Sequence, residues 1–380
     1  MAERTIIRDP VHGTIELTDI ERRILDAAPM QRLRHVRQLG MAHLVYPGAH
    51  HTRFEHSLGC LHLADQMADS VCLGEDDRRR LRLAAILHDV GHMAFSHDSE
   101  SVTCKRLGDH EARGQRIVRN SPLADIISRE ESPATIARWL HGASYGQLLT
   151  SDVGADRIDY LLRDAHYTGV AYGVVDSARI RSTLRWTSGA PALSEGGLEA
   201  AESLIMARFE MFHAVYYHHT VRIIRSMLQA AILEALQSNE IDWNAAQKDG
   251  DRDLLQRVSA LPHARRWVEK LMERKLHKRA LMVQAEKLDR EQKKEAEDGE
   301  MAEELSERCG CPVLVSYPDP FKSHTTIAML MAAGPLPLDE ASPLVASLQE
   351  AAEGRAQLLV AAPAREVKKV EKEARRLLGV

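Results

Sequence analysis

The segment LAAILHDVGHMAFSH (83–97) places His88, Asp89, His92 and His97 within ten positions, directly after an apolar run. Imidazoles and a carboxylate are poor company for a buried helix. They either solve a local folding problem or hold something that needs nitrogen and oxygen donors. On a continuous helix His88 and His92 would share a face, with Asp89 offset by roughly 100°. A cation at the edge between those faces could take an imidazole from His88 and a carboxylate oxygen from Asp89. Mixed imidazole and carboxylate donors suit a divalent Mn, Fe, Mg or Zn ion. The absence of thiolates argues against a closed structural zinc site.

Two donors do not make a site, and two further segments supply candidates. TRFEHSLG (52–59) offers His56 at a helix start with Arg53 three residues earlier. SDVGADRIDYLLRDAHY (151–167) offers Asp156, Tyr160 and Asp164 at i, i+4 and i+8, a polar stripe on one helix face. His92, His97 and His110 are of the residue type that titrates near neutrality and can act as acid or base. Arg53 and Arg157 suit phosphate oxygens. Each piece has a plainer reading, since Asp156 with Arg157 and Arg163 could be surface ion pairs worth little.

The elements that must position these residues are mostly helical. Thr18 or Asp19 can cap a helix running to Pro29, and 30–40 reads as a short helix ending at Gly40. From Phe54 onward apolar residues recur at helical spacing, with helices expected over 111–128, 133–141, 146–166, 176–185, 198–238 and 251–275. The Gly/Pro/Ser-rich 186–197 reads as a break or small hairpin, and the charge-alternating 285–308 as a solvated helix. Beyond Cys311, PVLVSYP, TIAMLM and AQLLVAAP are short β-favouring runs, followed by a closing helix. The expected fold is mainly α with a small α+β C-terminal appendage, divided into 1–240, 241–310 and 311–380.

The chain has 380 residues, 44% hydrophobic and 28% charged, with a net charge of −5. That is a globular composition with room for a sizeable core, and it lacks the overall basic field of a generic nucleic-acid binder. The five cysteines describe no disulfide framework, which favours a reducing compartment. MAERTIIRDP has no apolar signal core and no window approaches a membrane span, so a cytoplasmic protein is expected.

Taken together, His56, His88-Asp89 and Asp156 resemble the ligand pattern of the HD-domain metal phosphohydrolases. The flanking DPVHGTIEL, QRLRHVRQLG, VYPGAHHTRFEHSLG, AAILHDVGHMAFSH, DHE and DRIDYLLRDAHYTGV narrow the resemblance to the deoxynucleoside-triphosphate triphosphohydrolases. It runs from about residue 5 to 225 and more faintly to about 330. It implies a helical HD-domain core, and attack of water at the α-phosphorus to give deoxynucleoside and triphosphate. It also implies His56, His88, Asp89 and Asp156 as metal ligands, with His92, His97 and His110 as catalytic histidines. Arg53 and Arg157 match phosphate-binding positions. Tyr160 and Asp164 match residues that read the sugar and its 3′-hydroxyl, and Gln38 and Leu39 match pocket residues near the sugar. Tyr217 and His219 match a Tyr-x-His pair of the nucleoside pocket. Asp26, Gln31 and Arg34 match residues that hold an activating guanine nucleotide, GTP or dGTP, between subunits, which makes a homo-oligomer expected.

Departures are present too. Paired arginines of the animal enzymes are Ala214 and Val215 here, and a regulatory lysine is Thr5. The runner-up expectation is an HD phosphohydrolase acting on nucleoside monophosphates, cyclic dinucleotides or single-stranded nucleic acid. The cyclic-dinucleotide branch is disfavoured because HDxGK followed by GYP is missing. A nucleotide-binding regulatory module without catalysis is a third reading, disfavoured because every candidate ligand and acid/base histidine is present.

Overall fold

The computed structural model describes residues 5–317 and 325–380. It is mainly α-helical with three small sheets among the described residues. Its contacts divide the chain into two compact units. The first comprises 1–211, 242–254 and 325–346; the second comprises 212–241, 255–324 and 347–380. Residues 241–310 and 311–380, which composition separates, are thus each shared between both units. Among the described residues no helix is long and apolar enough to cross a membrane.

In the first unit the hairpin Thr5–Asp9/Gly13–Leu17 leads into the helix Asp19–Asp26. Thr18 caps that helix reciprocally with Glu21, as the sequence suggests. Thr52 and Glu55 form the same kind of box at the start of the helix Arg53–Ser70, where Glu55 takes the Thr52 N–H at 2.6 Å. That helix is buried nearly all round, through Phe54, Leu58, Leu61, Ala64 and Met67. It packs between the helices Glu75–Leu87 and Ala155–Thr168. The Gly/Ser-rich break forms a hairpin, Leu184–Thr187 with Ala190–Ser194, turned through Ser188 and Gly189 at φ 52° and 81°. The returning strand Ala328–Met331 adds to it in parallel.

The helices Arg53–Ser70 and Ala155–Thr168 meet closely at Gly59. A Cβ there would collide with Asp159 Oδ1 and the Arg163 guanidinium. Gly59→Ala should therefore lower stability by about 2–3 kcal/mol in urea unfolding, despite alanine's better helix propensity. An unchanged midpoint would mean the two helices are not held at this spacing.

In the second unit the strands Lys278–Gln284 and Leu314–Ser316 flank Gln357–Ala362. The closing helix Val367–Leu378 buries Val370 and Ala374 in the same apolar cluster as Val360, Met301 and Leu305. The first of these strands is absent from the sequence expectation, because KRALMVQ carries charge at one end and reads equally as helix. The charged run is not one solvated helix. It forms two, Arg290–Asp298 and Glu300–Cys309, parted at Gly299 with φ 90°, and the second buries Met301 and Leu305.

Candidate metal and catalytic site

The expected continuous helix through His88 and His92 does not form. The helix Glu75–Leu87 stops before the motif; His88 is its C-cap, Asp89 lies in the following turn and His92 just past it. The physical reason lies in what takes the local carbonyls. Arg32 donates to the carbonyls of Val90 at 3.1 Å and His92 at 2.6 Å, and Arg113 to Gly91 at 2.9 Å. Gly91 also lies so close to the start of the helix His110–Asn120 that a Cβ would meet the His110 carbonyl. The four polar side chains are thereby splayed rather than stacked on one face.

His56, from the helix Arg53–Ser70, gives Nδ1 to Asp159 Oδ2 at 2.7 Å. His88 gives Nδ1 to the Ala85 carbonyl at 2.7 Å. A carbonyl only accepts, so His88 Nδ1 carries the proton and its Nε2 carries a lone pair; the Asp159 carboxylate sets His56 the same way. These two Nε2 atoms are 3.2 Å apart, with Asp156 Oδ1 3.0 Å from that of His56. Asp89 adds Oδ1 3.3 Å from His88 Nε2 and Oδ2 3.8 Å from His56 Nε2. Such a convergence of acceptors is stable only around positive charge. Without an ion, and against the effect of burial, Cys60, Asp156 and Asp159 raise the His56 pKa well above the ordinary value, so a proton takes the Nε2 lone pair that a cation would otherwise occupy. The donor set therefore fits a divalent cation of the hard to borderline class. Cys60 Sγ is 3.5 and 3.6 Å from the two ring nitrogens of His56. Its sulfur lies within 4.8 Å of the His56, His88 and Asp156 donors, but burial pushes the thiol's pKa up, so it stays protonated and is a weaker candidate ligand than the carboxylates.

Arg53 borders this cluster. Its Nη1 donates to Asp89 Oδ2 at 2.6 Å and its Nε to Ser96 Oγ at 2.5 Å. Burial opposes the Asp89 charge, but Arg53, His88 and His92 hold its carboxyl well below the usual range. His92 approaches Asp89 Oδ1 at 3.3 Å. Burial, reinforced by Arg53, keeps its pKa well below that of a free histidine, so the ring is neutral at pH 7. The His110 ring stacks on His92 at 4.0 Å and 13°. His97 meets both rings edge-on, at 4.8 Å from His92 and 5.1 Å from His110, with most of its side chain exposed. Donor atoms of His92, His97, Glu100 and His110 also cluster within 4.8 Å. Parallel stacked rings, however, cannot aim their in-plane lone pairs at one ion, so this group suits proton transfer rather than ligation.

The remaining expected residues fall as follows. Arg157 is paired with Asp152, which Arg208 approaches at 4.0 Å and which also accepts from the Thr326 N–H at 2.6 Å. Tyr160 lies beside Arg157, and burial raises its pKa. Asp164 is buried against His51 Nε2 at 2.7 Å. Gln38 donates its backbone N–H to the His51 carbonyl at 3.1 Å, and Leu39 follows, half-buried. Gln31 and Arg34 meet through Oε1 and Nε at 3.0 Å, while Asp26 pairs with Arg22 at 3.1 Å. Tyr217 and His219 belong to the second unit, where they line a cavity of about 220 Å³ with Arg222, Arg279 and Arg355.

Sequence reasoning misses the supports. Asp159 is fully buried, accepting from His12 Nε2 at 2.6 Å, from His56, and from Arg163 Nε at 2.9 Å. Arg163 is no surface residue either: it is fully buried between Asp159 and Asp9. The i, i+4 spacing of Asp159 and Arg163 is the signal that could have found them. Glu100 is missed as well. It takes the His110 backbone N–H at 2.5 Å, His110 Nδ1 at 3.0 Å and His97 Nδ1 at 3.2 Å.

Comparison with known proteins gives the family. The HD domain family matches residues 53–164, the stretch from Arg53 to Asp164, and the HD associated region family matches 175–380. An uncharacterised protein of Methanocaldococcus jannaschii is 32% identical over 377 residues, covering 96% of this chain and 80% of its own. The deoxynucleoside triphosphate triphosphohydrolase SAMHD1 of Bos taurus is 27% identical over 295 residues, covering 64% of this chain. The chain spans about half, 49%, of that enzyme's length. A crystal structure of a hypothetical protein from Aquifex aeolicus superposes with a TM-score of 0.83 at 30% identity, covering 98% of this chain and all of that one. The chain belongs to the HD-domain family, as a hydrolase whose HD domain continues into the HD associated region.

Proposed function

We propose that this hydrolase is a metal-dependent dNTP triphosphohydrolase, cutting at the α-phosphorus to release a deoxynucleoside and triphosphate. The observation that carries the reading is the convergence of His56, His88, Asp89 and Asp156 donors beside Arg53 and a separate histidine group. The similarity to SAMHD1 supports the substrate class. A divalent cation held by those four residues supplies Lewis acidity toward a phosphoryl oxygen and acidifies water.

The chain's own residues do the rest. Arg53 keeps Nη1 on Asp89 and Nε on Ser96, and its remaining N–H groups are the ones for a phosphate oxygen. Hydrolysis makes one P–O bond to water and breaks the P–O5′ bond, so one proton must be taken from the water and one given to the departing oxygen. His92 is neutral, and His110, with its Nδ1–H on Glu100, has Nε2 open, so either ring can take the water's proton and, once protonated, pass one to the departing oxygen. Asp164 and Tyr160 are the residues for the sugar, and Arg157 the one for further phosphates. The same reading gives a homo-oligomer activated by GTP or dGTP through Asp26, Gln31 and Arg34.

The test is product analysis. The metal-loaded protein is incubated with each of the four dNTPs, with and without GTP, and the products are separated by chromatography. Deoxynucleoside with intact triphosphate is expected. Intact dNTPs alongside cleaved monophosphates or single-stranded DNA would overturn the substrate reading. His110→Ala should lose on the order of 10²-fold or more in turnover while keeping its metal. His56→Ala should lose metal and turnover together, as read by metal analysis of the purified variants.

A further inference from the structure

We propose that Asp251 is a positioning residue for this site: it pins a strained turn that sets Arg53 against Asp89. The inference rests on the phosphohydrolase reading above. Phe95 and Ser96 stand at φ 61° and 53°, two successive non-glycine residues in the left-handed region. A non-glycine residue in that region is strained and persists only where its surroundings hold it. Asp251 supplies the hold from 156 residues further along the chain, accepting the Phe95 N–H at Oδ1 at 2.8 Å. Its Oδ2 accepts the backbone N–H of Arg37 at 3.1 Å. Ser96 Oγ donates to the Arg37 carbonyl at 3.3 Å and accepts from Arg53 Nε at 2.5 Å. Arg53 then reaches Asp89 through Nη1 and closes the chain of contacts.

The carboxylate is 4% exposed, and Arg37, with Nη1 3.8 Å from Oδ2, is its counter-charge. Burial pushes its pKa up to about 6, against the two backbone hydrogen bonds. A neutral amide could not replace it, because one side of an amide donates and would oppose one of the two N–H groups. Both oxygens are used, and each holds a different segment beside the site.

The test combines Asp251→Asn with Ser96→Ala on the full-length, Mn-loaded protein. The substrates are the four dNTPs and the generic phosphodiester bis(p-nitrophenyl) phosphate. Asp251→Asn should lower kcat on the order of 10²-fold. With Ser96→Ala its effect on kcat should be non-additive, because both act through the Arg53 contact. Fully additive effects, or an unchanged kcat, would overturn the proposal. If the wild type cuts the diester but no dNTP, the dNTP reading falls while the coupling is still scored on the diester. A crystal structure of Asp251→Asn is independent of any activity: Arg53 displaced from Ser96 supports the role, and Arg53 retained on both Ser96 and Asp89 overturns it.

Discussion

Asp159→Ala is expected to weaken divalent-metal binding about 10- to 100-fold and to lower the stability of the ion-free protein by about 3–5 kcal/mol. Two consequences follow from one side chain. Asp159 is fully buried and accepts from His56 Nδ1, His12 Nε2 and the Arg163 guanidinium. Without it, His56 is free to change tautomer and turn, so the lone pair on Nε2 is no longer committed to the cluster. Arg163, also fully buried, keeps only the Asp9 contact at 2.9 Å. The buried guanidinium left without its carboxylate accounts for most of the lost stability. The loosened imidazole accounts for most of the lost metal affinity.

Asp159→Asn separates the two. Its side-chain oxygen can still accept from His56 Nδ1, so metal affinity should fall less than in the alanine variant. The lost charge still leaves Arg163 underpaired, so stability should fall in both. Titration calorimetry with Mn and urea unfolding without metal read the two quantities separately. Unchanged affinity in Asp159→Ala would show that His56 needs no support from this carboxylate.

The contrast between what the sequence shows and what it hides follows from the range of the interactions. The capping boxes at Thr18 and Thr52 are local, three residues from donor to acceptor, and are legible in the text. So is the helical character of Arg53–Ser70, because apolar residues recur along it. The ligand set is legible only through resemblance: nothing in the spacing of His56, His88 and Asp156 says that their donor atoms lie within 4.8 Å. The break after Leu87 is hidden because the cause is distant, Arg32 and Arg113 competing for carbonyls that a helix would use. Likewise the strand Ala328–Met331 joins the hairpin Leu184–Ser194 by parallel pairing across more than a hundred residues. No local pattern reports a partner that far away. The supports Asp159, Glu100 and Asp251 escape notice for a related reason, since a lone carboxylate on a helix reads as solvated surface until its partners are seen.

Glu100→Gln is expected to lower turnover on the order of 10²- to 10⁴-fold with metal content unchanged. Glu100 fixes His110 twice, at the backbone N–H and at Nδ1, and it holds His97 by Nδ1 as well. A carboxylate only accepts, so it commits His110 to the tautomer with the proton on Nδ1 and Nε2 open. A glutamine amide can keep the backbone contact with its oxygen, but its NH2 group then faces Nδ1. The ring responds by carrying its proton on Nε2, and the atom turned to the reaction changes from acceptor to donor. Stability gives a second, pH-resolved readout. Burial opposes ionisation of Glu100, but the hydrogen bonds from His110 and His97 hold its carboxyl far below the usual glutamate range. A carboxyl with a depressed folded-state pKa adds stability in full above its unfolded value, and loses it as pH falls through the folded one. The difference in unfolding free energy between wild type and Glu100→Gln should therefore be constant above about pH 5.5 and shrink steadily below about pH 4.5. If turnover falls but this difference does not vary with acid, the carboxylate is not ionised against the two histidines, and the loss must come from displaced rings rather than from the wrong tautomer.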